Sequence, residues 1–492
     1  MKYAVQKKCI KHMNGGLWPY IGIAGILAVS FLLFNHFPIL WIKIGMASIL
    51  IGLGILLVIW YAGRRLSSAR LLTVIFAAGL VLRIGYMLYT PYALRGHDIG
   101  TFFGYQNAGY ITTIFLKGQM PSTNIGMFYH PPVAFFLDAV VMKGYALLTP
   151  GKGLSAWMEA AKLVPGFASC ALLVVCLRFF RELGLPRRAM LIAMPILAFQ
   201  PTFFILSASI NNDMLMIFFV GLSLLYTVKW YKQQTIKNIL ILAVVIALAI
   251  TSKASGGLAA LLTAGIFLMV LLRQVGQKRK LFAQFSLFAM VCLPLGLWYA
   301  VRNRVLFGQS FGYVLPMSTE GPLYVGGHSL VSRFLSFPIH DLFTNPFCNP
   351  YGDYNLWIYL VKCSLFGEFS FDSARLFAAP LLVLNLILIV LSIAAMIWVL
   401  RAKDMPRLSR FLLGGLWLLQ MGSFLVFNFK YPFGCTMDFR YIVPTLIAGA
   451  GFMGLAADRM RRLYPEAARR VLPVVGCLIA AFAIVSALFY VS

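Results

Sequence analysis

The stretch FYHPPVAFFLDAVVMKGYALLTP, residues 128–150, opens on a Tyr-His-Pro-Pro corner and then runs apolar, with Asp138 and Lys143 set inside it. Whether it crosses a bilayer decides the side on which every later loop lies. The answer comes from its neighbours. If 131–149 spanned the membrane, RFFRELGLPRR (178–188) would face outward, against the rule that Lys and Arg collect on the inner side. The corner therefore starts a helix lying along the outer surface, half sunk in the interface. Proline suits a helix's first turn, where its missing N–H has no partner to lose. Pro131 and Pro132 thus start the helix while Tyr129 and His130 project from the corner, and Asp138 is expected to face solvent.

Working outward, hydrophobic residues make up 61% of the chain and charged ones 11%. Apolar runs long enough to cross about 30 Å of hydrocarbon recur from end to end. Spans are expected at 17–35, 39–61, 70–89, 158–180, 188–207, 211–229, 237–252, 255–273, 281–301, 378–400, 409–428, 440–457 and 470–491. With the N-terminus inside, the inner segments hold 27 of the 42 Lys and Arg and only four acids, Glu182, Asp404, Asp458 and Glu466. The net charge of +28 thus orients the protein and meets anionic lipid, and a nucleic-acid partner is not expected. The first run, from Leu17, follows Lys2, Lys7, Lys8 and Lys11 without a small-residue cleavage site and reads as a retained span. The expected fold is an all-α polytopic membrane protein of about thirteen transmembrane helices, with outer juxtamembrane helices in its first large loop.

The eight cysteines are scattered, most within spans, where they read as small buried hydrophobes. Cys348 and Cys363 share an outer loop and could pair in an oxidising compartment. No zinc spacing, phosphate-binding glycine loop, Ser-His-Asp order or internal repeat stands out.

Polar residues gather in two outer segments, 90–157 and 302–377, and at short outer turns. Asp98 precedes an amphipathic stretch, Ile99 to Leu116, that fits a second interfacial helix. Asp213 sits at the mouth of SASINNDMLM, and Lys253 lies in TSKASGG between two spans with almost no loop. Arg302 leaves its span in WYAVRN, and Lys430, Asp438, Arg440 and Tyr441 share another mouth. Arg83 near the outer end of its span is a candidate partner for an outer acid.

These residues, taken together, resemble a known family. HD, FYHPPV, FQPTFFILSASINNDML, TSKASG, WYAVRN and DFRYIVP occur in the order found in GT-C glycosyltransferases. The likeness is to the branch holding the protein O-mannosyltransferases and the lipid A aminoarabinose transferase, and it runs from about residue 70 onward. Residues 1–69 then form a two-span extension. Residues 70–301 form the catalytic membrane core with loop 90–157, 302–377 a large outer loop, and 378–492 the C-terminal spans. The resemblance implies a cell-membrane transferase with an outward-facing site. Its donor is a polyprenyl-phosphate-linked sugar, and its acceptor is a lipid, a protein or a cell-wall glycan. An acid early in the first loop serves as base. Asp98 falls there, preceded by His97 where many relatives have Asp-Glu or Tyr-Asp.

Inverting transfer needs a base at the acceptor and positive charge at the departing phosphate. Asp98 is the expected base, with Asp213 orienting the acceptor. Lys253, Arg302 and Arg440 are the expected phosphate ligands, with His97, Tyr129, His130 and Tyr441 lining the substrate site. A divalent ion is optional; Asp98 and Asp213 are the acids to hold one, since hard cations favour carboxylates. The plainer readings are helix caps for the two acids and snorkelling for the bases. A transporter or flippase of lipid-linked saccharides is the competing function. It predicts repeats and mid-membrane charge, whereas the charges here cluster at outer helix ends. A non-catalytic assembly scaffold is a third reading, and it predicts no dependence on Asp98.

The topology has a direct check. In a variant freed of its own cysteines, Lys152→Cys reacts with an impermeant thiol reagent added outside intact cells, and Arg279→Cys does not. The opposite pattern would invert the topology and the side of the site.

Overall fold

The computed structural model describes residues 16–94, 96–104, 106–346 and 352–492. The basic head at Lys2, Lys7, Lys8 and Lys11 and the Cys348 half of the suggested disulfide lie outside the described residues; Cys363 is buried. The chain is helical, and its one isolated β-bridge among the described residues joins Tyr324 to Phe433.

Three helices come first: α1 (Trp18–Phe34), α2 (Ile39–Ala62) and α3 (Ser68–Tyr89). The first large loop folds as α4 (Asn107–Lys117), α5 (Val133–Leu148) and α6 (Gly153–Ala161). Then come α7 (Leu163–Glu182), α8 (Arg187–Phe199), α9 (Pro201–Ala208), α10 (Asp213–Lys232), α11 (Ile236–Ser252), α12 (Leu258–Arg273) and α13 (Lys278–Phe307). The second loop carries α14 (Leu330–Phe334) and α15 (Leu356–Phe366), and the chain ends in α16 (Arg375–Arg401), α17 (Arg407–Lys430), α18 (Thr445–Leu463) and α19 (Pro465–Val491).

Among the described residues, nine helices are long and apolar enough to cross a membrane, or ten if the bent pair α8–α9 counts as one span. This is a polytopic, all-α membrane protein. The other expected spans are helices that fall short for plain reasons. Helices α1 and α11 are apolar but only 17 residues long, and α18 ends in Asp458, Arg459, Arg461 and Arg462.

The helical part of the first loop begins later than the amphipathic pattern suggested. Residues 99–104 and 106 are not helical, because both Asp98 (φ 54°) and Gly100 (φ 63°) take left-handed backbone. A Cβ at Gly100 would lie 2.5 Å from that of Gln106, so the chain folds back on itself only with glycine there. Helices α4, α5 and α6 then share a small apolar core that includes Tyr110, Ile111, Phe135, Ala139, Met142 and Met158.

Asp138 points into this layer, contrary to the solvent-facing orientation expected of it. It is fully buried, and neither carboxylate oxygen has a hydrogen-bond partner among the described residues. The cause is helical phase: positions 134, 135, 138, 139 and 142 fall on one face of α5, and that face packs inward. Burial pushes the Asp138 carboxyl well above the usual range.

Helices α8 and α9 meet at 44° around Gln200. Pro201 supplies no N–H for the helix, which frees the Leu197 carbonyl. Arg83, wholly buried, fills the gap: its guanidinium donates to the carbonyls of Leu197 (2.8 Å), Ala198 (2.7 Å) and Gly79 (2.9 Å) and to Ser169 Oγ (3.1 Å). Among the described residues its partners are thus backbone carbonyls and a serine hydroxyl, not the outer acid anticipated from sequence. Across the same bend, Gln200 Nε2 and Thr202 Oγ1 both donate to the Ser364 carbonyl (2.9 and 2.7 Å). That contact draws α15 into the bundle, where its whole length from Leu356 to Phe366 is buried except for the half-buried Trp357. Part of the second loop is therefore core.

Asp138 yields a pH prediction. A carboxyl whose folded pKa is raised contributes most stability below its unfolded value, about 3.9, and loses it as pH rises. Asp138→Asn removes the ionisable group. Its thermal midpoint in detergent should exceed that of the parent at pH 7, with the gap closing toward pH 4.

Candidate active site

Four separate segments bring charge to one place at the loop-bearing end of the bundle. The first is the turn at His97 and Asp98. Asn107 at the head of α4 closes this turn: its N–H donates to the Asp98 carbonyl (3.1 Å), and Nδ2 donates to the carbonyls of His97 (3.3 Å) and Ile210 (3.1 Å). The last contact ties the turn to the second segment, Ile210–Asp213. There Asn211 Oδ1 accepts from the Asp213 N–H (3.0 Å), and Asp213 opens α10, where the helix dipole favours a carboxylate. Lys253, at the break between α11 and α12, is the third. The fourth is the short turn at 438–441, where Asp438 accepts from the Arg440 N–H (2.9 Å).

Arg440 is the hub. Its Nη1 lies 2.8 Å from Asp98 Oδ2 and 4.0 Å from Asp213 Oδ2, and its Nε lies 3.6 Å from Asp438 Oδ2. Lys253 Nζ pairs with Asp213 Oδ1. The Tyr441 ring sits under both cations, 4.7 Å from Lys253 Nζ and 5.3 Å from the Arg440 guanidinium carbon. His97 adds a further contact, with Nδ1 3.4 Å from Glu368 Oε2 and 3.7 Å from Asp438 Oδ2.

The electrostatics follow from these distances. Arg440 beside Asp98 holds its carboxyl down at about 2, with burial opposing. Burial raises the Asp438 carboxyl to about 6 against the pull of His97 and Arg440. Burial would lower His97, but Glu368 and then Asp438 raise it on balance. His130 is brought down to about 4 by burial and then by Lys253, so it is neutral near pH 7. Tyr129 rises to about 12 through burial and the Asp98 charge.

The structure thus brings His97, Asp98, Asp213, Lys253, Arg440 and Tyr441 together. The His130 ring lies tilted against that of Tyr129 with centres 4.4 Å apart, and Tyr110 donates to the His130 carbonyl (3.0 Å). Arg302 stands apart. It donates to Asn303 Oδ1 (2.8 Å) and to the Pro121 carbonyl (3.2 Å) and lies over the rings of Tyr299 and Phe307, which bind loop 90–157 to α13. Asp98 does not cap α4, whose first residue is nine positions later. Asp213 directs its carboxylate at Lys253 and Arg440. A cation, Arg440, already stands between these two acids, the pair considered for a divalent ion. Sequence reasoning gave no role to Glu368 or Asp438. Asp438 had a signal in its place two residues before Arg440 in DFRY; Glu368 is a lone acid beyond α15 with no spacing to mark it.

Arg440 is 6% exposed and faces three carboxylates. Removing one partner of a buried ion pair strands the other charge at a cost of about 3–5 kcal/mol. Arg440→Met should lower unfolding stability by that order, whereas Arg302→Met, which strands no carboxylate, should cost less. Equal losses would deny Arg440 its place as hub.

Residues 129–298 match the family model of dolichyl-phosphate-mannose-protein mannosyltransferase. The matched segment runs from the His-Pro-Pro corner to α13 and holds Tyr129, His130, Asp213 and Lys253 of the cluster. No curated protein matches the chain. Together with the many apolar helices, the family match supports a GT-C-type membrane glycosyltransferase.

Proposed function

We propose that the protein transfers a sugar from a polyprenyl-phosphate-linked donor to a lipid, protein or cell-wall glycan acceptor at the outer face of the cell membrane, with Asp98 as general base. The observation that carries this reading is the meeting of opposites at residues 438–446. Asp438 and Arg440 belong to the charged cluster. Phe439, Ile442, Thr445 and Leu446 line an apolar cleft of about 520 Å³ between helices. A charged cluster sharing one short segment with a greasy cleft suits a substrate with a phosphate head and a hydrocarbon tail.

In this reading the chain lies in the cleft and the phosphate reaches Lys253 and Arg440. Arg suits phosphate oxygens through its forked donors, and Lys through its point charge. A phosphate competing for Arg440 loosens its hold on Asp98. The freed carboxylate takes the acceptor's proton as its oxygen attacks the anomeric carbon. The bond from that carbon to the phosphate oxygen breaks, and polyprenyl phosphate leaves with its charge held by the two cations. Asp213 orients the acceptor, and Tyr129, His130 and Tyr441 shape the sugar pocket. The Lys and Arg asymmetry of the sequence supports the outer side.

The test uses purified protein and a polyprenyl-phosphate sugar. Asp98→Asn should cut turnover by at least about 100-fold, the usual scale of general base catalysis, with donor binding kept. Lys253→Ala should raise donor Kd by at least about tenfold, as loss of a charge-assisted hydrogen bond does. Near-normal turnover in folded Asp98→Asn would remove Asp98 from the chemistry. Translocation of uncleaved donor across liposomes would replace the transferase with a flippase.

A further inference from the structure

Glu368 and Asp438 have no part in the transfer step, yet both converge on the imidazole of His97. We propose that His97, Glu368 and Asp438 bind a divalent transition-metal ion beside the transfer site. The three donor atoms all lie within 4.8 Å of one another.

The spacing suits a shared ion better than hydrogen bonds. His97 Nδ1 stands 3.4 Å from Glu368 Oε2 and 3.7 Å from Asp438 Oδ2. A good imidazole–carboxylate hydrogen bond is shorter, about 2.7–3.0 Å. Ligand atoms around a metal at about 2.0–2.2 Å lie roughly 3–3.5 Å apart, close to the spacing of His97 Nδ1 from each carboxylate, so the site closes when the two carboxylates draw in around the ion.

The polar atoms themselves call for a partner. His97 and Asp438 are each 2% exposed, and neither His97 Nδ1 nor Asp438 Oδ2 has a hydrogen-bond partner among the described residues. Buried polar atoms are nearly always satisfied, and two orphans aimed at one point mark a site for a further group. Arg440 does not serve them. Its Nε, 3.6 Å from Asp438 Oδ2, is itself without a hydrogen bond.

Charge points the same way. Among the described residues, Asp98, Asp213, Glu368 and Asp438 share Arg440 and Lys253 as permanent cations, leaving two negative charges over. A proton on His97 removes one; a divalent ion removes both. The balance matters most if the pocket receives an anionic phosphate, a consequence that rests on the transferase reading. The binding of the ion does not. The three ligands come from the turn after α3, the end of α15 and the turn before α18. Gly367, at φ 62°, ends α15 and turns the chain so that Glu368 joins the cluster. One imidazole and two carboxylates leave coordination positions open and favour Zn²⁺ or Mn²⁺ over Ca²⁺ or Mg²⁺.

The test uses the full chain in detergent, stripped with chelator and dialysed, then titrated with Zn²⁺ and with Mn²⁺. One equivalent should bind, and the thermal midpoint should rise. Glu368→Gln and Asp438→Asn should each weaken binding by at least about tenfold, the lower end of what even outer-shell losses cost. Asp138→Asn, a buried acid outside the cluster, should bind as the parent does. Should the ligand variants fail to fold, pulsed EPR of the Mn²⁺-loaded parent decides: coupling to a single imidazole nitrogen supports the site, and its absence overturns it. No binding at millimolar metal, or an equivalent that survives Glu368→Gln and Asp438→Asn, also overturns it. Metal bound without sugar transfer would sustain the site and remove the transferase; transfer by protein that binds no metal would do the reverse.

Discussion

A single guanidinium holds the charged end of this protein together. Arg440 reaches Asp98 and Asp213 with one nitrogen and faces Asp438 with another, so three segments far apart in sequence meet through one side chain. Burying an ion is costly unless its partners are close and well placed. That penalty makes the arrangement all-or-none: the turn at Asp98, the head of α10 and the turn at 438–441 must be in position together. Asn107 and Asn211 serve the same end without charge, fixing the backbone that presents the acids.

The scaffold beneath depends on a break. The helix through 187–208 is not straight. Pro201 bends it, and the bend brings Asn211 and Asp213 under the loop that bears Asp98. The bend also exposes the Gln200 and Thr202 side chains to α15, which anchors the second large loop and so sets where Glu368 falls. Fold and site are coupled through these few hydrogen bonds.

Much of this was legible in the sequence, for definite reasons. Apolar runs of span length announce themselves. The Pro-Pro corner marked α5 to within a residue or two. The rest turned on features that a pattern of apolar residues does not register. The left-handed backbone at Asp98 and Gly100 shortened α4. Asp138 was read by its charge when its helical phase, shared with Phe135 and Met142, was the better guide. Arg83 was offered an acid when a proline more than a hundred positions later had left carbonyls for it. Of the expected site residues, those at helix ends came together because such ends collect at one level of a bundle. Arg302, at an end as well, turned outward to loop 90–157. Glu368 could not be foreseen, since nothing local to it differs from an ordinary loop acid.

The contact between Arg83 and the carbonyls of residues 197 and 198 also bears on how the chain is assembled. Synthesis runs from the N-terminus, so α3 enters the bilayer before its partners exist. Its arginine must wait in company with water, lipid headgroups or the insertion machinery until α8 arrives. The broken helix in turn reaches the membrane with carbonyls unmet and is completed only by docking against α3. Each half is thus a poor resident of lipid by itself and a good one when joined.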